Sequence, residues 1–293
     1  MSPAAGAFEI ESEWVHIAYQ ATAALREVYG YAGRQGTVNL EGIRFRPRGR
    51  PSGTLLIYMH PASTLQLLPV PRAMAAAGVA VLCAGSRYAR NDTPLIMEMA
   101  AVDLGAYVRY AREVWGYRTI VLAGWSGGGS LSVFYQSQAE SPAVTRTPAG
   151  DPVDLSGLPP ADAVIYHAAH LSRAVVLSLL THRTLADPRF LDATLEPSDR
   201  VAGWCFLGKP AEANLSPAGI ARYSTLRAWL SQWSVDDAVP PSHVSRVFEA
   251  SPAAVKDYLI IKGANHYYAD QPHHLADVVR QSLDWLRKNS LAG

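Results

Sequence analysis

A serine among glycines is the residue best placed to do chemistry in this 293-residue sequence. It is Ser126, in the segment TIVLAGWSGGGSL, where Gly124, Ser126 and Gly128 fit the pattern G-x-S-x-G. The apolar run before the serine predicts a buried strand and the residues after it predict a helix, so the serine falls on a sharp strand-to-helix turn. Small neighbours let the backbone bend there, and the positive end of the helix dipole favours negative charge at a reacting hydroxyl. The simpler alternative is a glycine-rich turn whose serine only caps the helix.

A serine hydroxyl becomes a good nucleophile only beside a base that is itself oriented by an acid. His266 lies just past the apolar run YLIIKGA, and Asp236 and Asp237 follow the run LRAWLSQWS. Because the carboxyl ends of parallel strands face one crevice, we expect these loops and the serine turn to lie near each other. The chain order serine, aspartate, histidine agrees with this arrangement. These residues alone leave both aspartates open as the acid.

Strand-like and helix-like segments alternate through most of the chain. GTLLIYMH, VAVLCAG and RTIVLAG are short apolar runs typical of strands buried on both faces of a parallel sheet, and helical patterns separate them. We therefore predict an α/β fold, with a mainly parallel central sheet and helices on both faces. Residues 1–36 are predicted to be an N-terminal helical segment, with a helix over Glu13–Tyr29. The core is predicted at 37–141 and 223–293, with a small helical cap inserted at 142–222.

Three of these segments together resemble the α/β-hydrolase family, across nearly the full chain from about Thr37 onward. GWSGGG is similar to the nucleophile motif of that family, DDAVP to its acid loop and GANH to its histidine loop. The resemblance implies a catalytic triad of Ser126, His266 and Asp236, the last selected by the D-x-x-V-P spacing. It also implies a serine hydrolase that cleaves a carboxylic ester or lactone through an acyl-enzyme and needs no cofactor.

The same resemblance implies an oxyanion hole with two backbone donors. The N–H of Gly127, directly after the serine, is the first donor. The second comes from the loop HPAST after the strand GTLLIYMH, where many family members have His-Gly and this chain has His60-Pro61. Because proline has no N–H, Ala62 is the predicted second donor.

Aromatic and imidazole side chains near these motifs are predicted to line the substrate pocket, namely His60, Trp125, His167 and Tyr267. His167 and His170 form an H-x-x-H pair. No HExxH helix, carboxylate cluster or CxxC pair accompanies them, so no metal site is predicted. Ordinary core packing is the simpler alternative for these histidines and for the aromatic residues.

Composition limits the partners that we expect. The formal net charge is +1 and charged residues make up 17% of the chain, a balance that provides no general attraction to nucleic acid or membranes. The predicted partner is a small ester-like molecule, and a homodimer is left open. Cys83 and Cys205 make no disulfide framework and the N-terminus lacks a signal-peptide pattern, so a cytoplasmic location is predicted.

Fold and triad together do not determine the substrate. Thioester hydrolysis, peptide-bond hydrolysis and hydrolytic C–C cleavage fit the same triad, and a binding protein that retains a hydrolase shell is the non-enzymatic alternative. A complete set of serine, histidine and aspartate favours an enzyme, because a binding protein does not need all three.

Overall fold

The computed structural model describes residues 7–21, 24–26, 32–34, 36–91, 95–170, 227–233, 239 and 242–293. The strands in these ranges are β1 (Ile10–Gln20), β2 (Ala24–Arg26), β3 (Ala32–Arg34), β4 (Thr37–Pro47), β5 (Thr54–His60), β6 (Ala80–Gly85), β7 (Thr119–Trp125), β8 (Ala163–His167), β9 (Arg227–Trp233) and β10 (Lys256–Ile261). The helices are α1 (Pro69–Ala76), α2 (Met97–Glu113), α3 (Gly127–Glu140), α4 (Ser242–Ala250) and α5 (Pro272–Lys288).

Most of the strands join one sheet, in the order β1-β4-β6-β5-β7-β8-β9-β10. β4 is antiparallel to both of its neighbours, β1 and β6. All the other neighbouring strands, from β6 to β10, are parallel. This sheet confirms the predicted α/β fold. The short strands β2 and β3 pair separately with each other.

Helices cover both faces of the sheet, which explains why the central strands are apolar throughout. Residues of α2, α3 and α4 pack on one face and residues of α1 and α5 on the other. Almost every residue of β5, β6, β7 and β8 is buried. Removing this apolar surface from water stabilises the fold by about 25 cal/mol per Å². Among the helices in the described ranges, none has both the length and the apolar character needed to cross a membrane.

The helix predicted over Glu13–Tyr29 is wrong for the first part of that range. The chain there belongs to β1, in which Val15 and Ile17 are buried and alternate with the exposed Trp14 and His16. This period of two fits a strand with one face on the core. β1 also pairs along its whole length with β4, a partner that a local helical pattern does not reveal.

The insertion predicted at 142–222 begins too early. β8 falls inside that range, yet it lies between β7 and β9 in the central sheet. The segment before β8 is also tied to the core, because the guanidinium group of Arg112 in α2 donates to the C=O of Pro160 at 3.0 Å. Residues 171–226 lie outside the described residues, so the helical cap stays a prediction.

Candidate active site

The carboxyl ends of β5 and β7 form the part of the sheet around which the site is built. From β5 the chain continues to β6 on one side, then crosses to β7 and β8 on the other side. In an open parallel sheet such a reversal leaves a crevice outside the strand ends, where ligands bind. His60 ends β5 and Ser126 directly follows β7. The predicted nucleophile and the loop with the predicted oxyanion donor therefore share one edge of the sheet.

Ser126 has a backbone conformation that residues other than glycine rarely adopt, with φ 52° and ψ −122°. Its N–H donates to the C=O of His167 at 3.1 Å, and its C=O accepts the N–H groups of Gly129 and His170 at 3.0 and 3.2 Å. We call residues 126–129 the elbow. A strained backbone costs about 1–3 kcal/mol and persists only where the surroundings hold it, often at functional sites.

Glycines let the elbow pack directly against its neighbours. A Cβ on Gly128 would lie under 3.0 Å from the C=O oxygen of Met59 in β5, a distance that real Cβ atoms do not show. A Cβ on Gly129 would be equally close to the Cβ of Ala169, just after β8. The first turn of α3 is therefore wedged between the ends of β5 and β8, with Ser126 at its start.

The imidazole of His60 lies against the elbow from the β5 side. Its Nδ1 accepts the backbone N–H groups of Ala62 and Ser63, both at 3.1 Å. Its Nε2 faces Gly127, where a Cβ would lie 2.5 Å from that nitrogen. The N–H of Ala62, which we predicted as the second oxyanion donor, thus donates to His60 in this structure.

The loop after β6 holds the loop after β5 in place. The hydroxyl of Ser86 donates to the C=O of Pro61 at 2.5 Å. The next residue, Arg87, forms a buried ion pair at 2.8 Å with Asp103 in α2. Removing one partner of a buried ion pair is strongly destabilising, by about 3–5 kcal/mol. The backbone that follows His60 is therefore bonded to a loop that is itself anchored to α2.

His266 lies on the loop after β10 and is packed against the residue that precedes the elbow. It is 2% exposed, and its ring centroid is 4.6 Å from that of Trp125. The indole N–H of Trp125 donates to the C=O of His266 at 3.3 Å. Because Trp125 directly precedes Ser126, these contacts hold the histidine loop beside the elbow. Tyr267 is 56% exposed and meets the ring of His266 edge-on at 5.0 Å.

The two histidines of the H-x-x-H pair lie in different places. His167 is 1% exposed, and its ring is directed towards α5, with Nε2 3.5 Å from the hydroxyl of Ser282. Burial lowers the pKa of His167 to about 4, so the ring is neutral at pH 7. His170 reaches the elbow instead, since its Nε2 would lie 3.0 Å from a Cβ on Gly127. In the described ranges no group of three or more His, Cys, Asp or Glu side chains is placed to hold a metal ion.

The predicted acid, Asp236, lies outside the described residues, and so does Asp237. The strand that precedes them, β9, ends at Trp233 and is parallel to β8 and β10. Asp236 therefore stays a prediction.

Solved structures with the same arrangement of strands and helices exist. An alpha/beta hydrolase named GrgF from a Penicillium species has a TM-score of 0.60 and 14% identity, covering 94% of this chain and 98% of its own. The chain has the α/β-hydrolase fold. A thermostable carboxyl esterase from Bacillus coagulans shares this fold, with a TM-score of 0.60 and 10% identity over 94% of this chain and 98% of its own. A dienelactone hydrolase from Anabaena variabilis matches with a TM-score of 0.53 and 15% identity, over 93% and 98% of the two chains.

Sequence comparison adds no relative, because no protein-family model matches and a search of curated proteins finds no match. At such low identity the structural matches establish the α/β-hydrolase fold and leave the activity to be argued from the site. In this fold the nucleophile stands on a strained turn between a strand and a helix. Ser126, between β7 and α3, occupies that position.

Proposed function

We propose that the protein is a serine hydrolase that cleaves carboxylic esters or lactones of modest size. The backbone of Ser126 is the observation that carries this proposal, since a strained turn wedged between two strands holds this half-buried serine at the carboxyl ends of the strands, where the strand order reverses. A serine that only capped a helix would bond to its first turn. The side chain of Ser126 makes no such capping bond to α3, a helix whose residues the structure describes in full.

In the proposed reaction, His266 takes the hydroxyl proton of Ser126 as the oxygen attacks the acyl carbonyl. Asp236 accepts the Nδ1–H of that imidazole and so leaves Nε2 to receive the proton. The N–H of Gly127 and the positive end of the α3 dipole stabilise the oxyanion. Protonated His266 then gives its proton to the departing alcohol, and water activated by His266 releases the acid from the acyl-enzyme.

Two further observations support the proposal. Trp125 joins the nucleophile strand to the histidine loop through both its ring and its N–H. Among the structures with the same fold, the printed names include a carboxyl esterase and a dienelactone hydrolase. The first observation supports the assignment of His266 as the base, and the second supports the choice of substrate class.

Labelling with a fluorophosphonate probe tests the proposal. The folded wild-type protein should be labelled at Ser126 and should hydrolyse p-nitrophenyl butyrate. Ser126→Ala should abolish labelling and lower turnover by a factor on the order of 10⁴ or more, with little change in the free energy of unfolding. Ser141→Ala, at the exposed far end of the same helix, is the matched control and should behave as wild type. A folded wild-type protein that resists the probe would contradict the proposal.

A further inference from the structure

We propose that the imidazole of His60 supplies the second donor of the oxyanion hole, through its Nε2–H. This inference rests on the proposed function, because an oxyanion forms only if Ser126 attacks an acyl carbonyl. It replaces the donor that we predicted from the sequence, the backbone N–H of Ala62.

The first backbone donors of the loop after β5 are bound to the side chain of His60. Pro61 has no N–H, and the next two N–H groups, of Ala62 and Ser63, both donate to Nδ1 of His60. A hydrogen directed at Nδ1 is not directed at a substrate oxygen. In a site that needs two donors, the missing one must therefore come from elsewhere.

The same two hydrogen bonds determine which nitrogen of His60 carries the proton. A ring nitrogen that accepts an N–H has no proton of its own, so the neutral imidazole is protonated at Nε2. Nε2 is therefore a donor. Two bonds to one ring atom also hold the ring in one orientation, and such preorganisation makes an oxyanion donor effective.

Nε2 of His60 lies beside the residue that provides the first donor. The ring atoms Nε2 and Cδ2 would be 2.5 and 3.1 Å from a Cβ on Gly127. Residue 127 is a variable position of the G-x-S-x-G pattern, so the pattern itself does not require glycine there. The imidazole of His60 does require it, because any side chain on residue 127 would displace the ring. Nε2 of His60 therefore lies next to the residue whose N–H is the first donor.

The chemistry asked of His60 is simple. As Ser126 attacks, the carbonyl oxygen gains negative charge and accepts two hydrogen bonds, one from Gly127 and one from His60. No bond to His60 forms or breaks, and no proton leaves it. The bond strengthens as the charge develops, so His60 should act on kcat more than on KM.

Two substitutions separate the two nitrogens of His60. His60→Asn places an amide oxygen near the position of Nδ1, where it can accept the N–H groups of Ala62 and Ser63, but it has no group at the Nε2 position. His60→Gln places an amide N–H near Nε2 and has no acceptor at the Nδ1 position. We expect His60→Asn to lower kcat for p-nitrophenyl butyrate about 10²- to 10³-fold and to slow fluorophosphonate labelling, while His60→Gln stays within about 10-fold of wild type. If His60→Gln instead lowers kcat more than His60→Asn does, His60 only holds its loop in place, and the proposal is overturned.

A second variant keeps the test valid if either substitution impairs folding, which thermal melts by circular dichroism would reveal. Gly127→Ala retains the backbone N–H of residue 127 but displaces Nε2 of His60, so kcat should fall although the first donor remains. Combined with His60→Asn, which lacks the displaced ring, Gly127→Ala should add only the smaller cost of its contact with Nε2 of His170, which would lie 3.0 Å away. Unchanged kcat in Gly127→Ala, or additive losses in the double variant, would overturn the proposal.

Ser126→Ala in the same assay separates this inference from the proposed function. Turnover that survives Ser126→Ala would overturn both. Turnover that is lost in Ser126→Ala but normal in His60→Asn would overturn the role of His60 alone.

Discussion

The ends of β5 and β8 flank β7 on either side, and each of these two strands ends in a histidine. His60, at the end of β5, directs Nε2 at the elbow and binds two backbone N–H groups through Nδ1. His167, at the end of β8, is directed towards α5, and its Nδ1 has no hydrogen-bond partner among the described residues. The same residue type at equivalent strand ends thus contributes to the candidate site in one case and to the core in the other.

Register does not explain this difference, because Tyr58 pairs with Ala123 and Trp125 pairs with His167, so the two histidines lie level with Trp125 on one face of the sheet. The surroundings differ instead, since the loop after β5 binds the ring of His60, whereas the ring of His167 is buried against α5. His167 contacts the elbow through its backbone and not through its ring, because its C=O accepts the N–H of Ser126 at 3.1 Å. The chain then turns at Ala168, with φ 44°, and brings His170 to the elbow.

The largest effects should come from pushing each strand end away from the elbow. Gly128→Ala sets a Cβ against the C=O of Met59 in β5, a strand that cannot move away because it is paired on both sides. We therefore expect the unfolding free energy to fall by about 3 kcal/mol or more, and esterase activity to be lost. Gly129→Ala sets a Cβ against that of Ala169 and should also lower stability and activity. Adding Ala169→Gly should recover part of the stability and part of the activity. Urea unfolding and turnover measure these effects. Gly157→Ala is the control: a Cβ there would have no atom within 4 Å, so this variant should match wild type in stability and activity. A Gly128→Ala variant as stable as wild type would contradict the wedged elbow.

The second test concerns the buried ring at the end of β8. The pKa of His167 falls from its ordinary 6.5 to about 4 on burial, so between these values the unfolded chain binds more protons than the folded one. Stability contributed by the neutral ring is therefore lost as the pH falls through this window. Between pH 7 and pH 5, wild type should lose about 2 kcal/mol more unfolding free energy than His167→Leu.

Urea unfolding of both proteins at the two pH values checks this expectation. Turnover of His167→Leu at pH 7 should stay near that of wild type, because the ring does not face the elbow. An identical pH dependence of stability in the two proteins would mean that His167 is not buried as the neutral form.

The smallest effect should come from loosening the end of β5. Ser86→Ala removes the hydroxyl that donates to the C=O of Pro61 and should cost about 1 kcal/mol of unfolding free energy. Because the next residues orient His60, we expect kcat to fall about 3- to 10-fold at unchanged KM. Ser52→Ala removes a similar bond, to the C=O of Thr54 at the other end of β5, and should leave kcat unchanged. Equal kcat in the two variants would contradict a positioning role for Ser86.

The elements that the sequence predicts well are those whose signals are local. Continuous apolar runs predict β5, β6 and β7, and the helical patterns between these runs agree with α1 and α2. The sequence does not predict α4, which is only nine residues long, and it wrongly predicts a helix in place of β1. A strand is completed by a partner far along the chain, so its identity depends on contacts that a short window does not contain.

In the candidate site, too, some features have a local sequence signal and others do not. Glycine spacing places Ser126 on a strand-to-helix turn, and the strained backbone there agrees with that prediction. The pattern H-x-x-H does not reveal which histidine reaches the elbow, because strand register and the turn at Ala168 settle it.

The sequence by itself determined the alternation of strands and helices and the turn that carries Ser126, because short runs and glycine spacing encode both. Only the tertiary structure decided that β1 is a strand, that the N–H of Ala62 donates to Nδ1 of His60, and that His167 is directed away from the elbow. The first and the last depend on which distant residues pack together, and local preferences along the chain do not contain that information. The bond of Ala62 depends on how the chain turns after β5, where the hydroxyl of Ser86 from another loop donates to the C=O of Pro61.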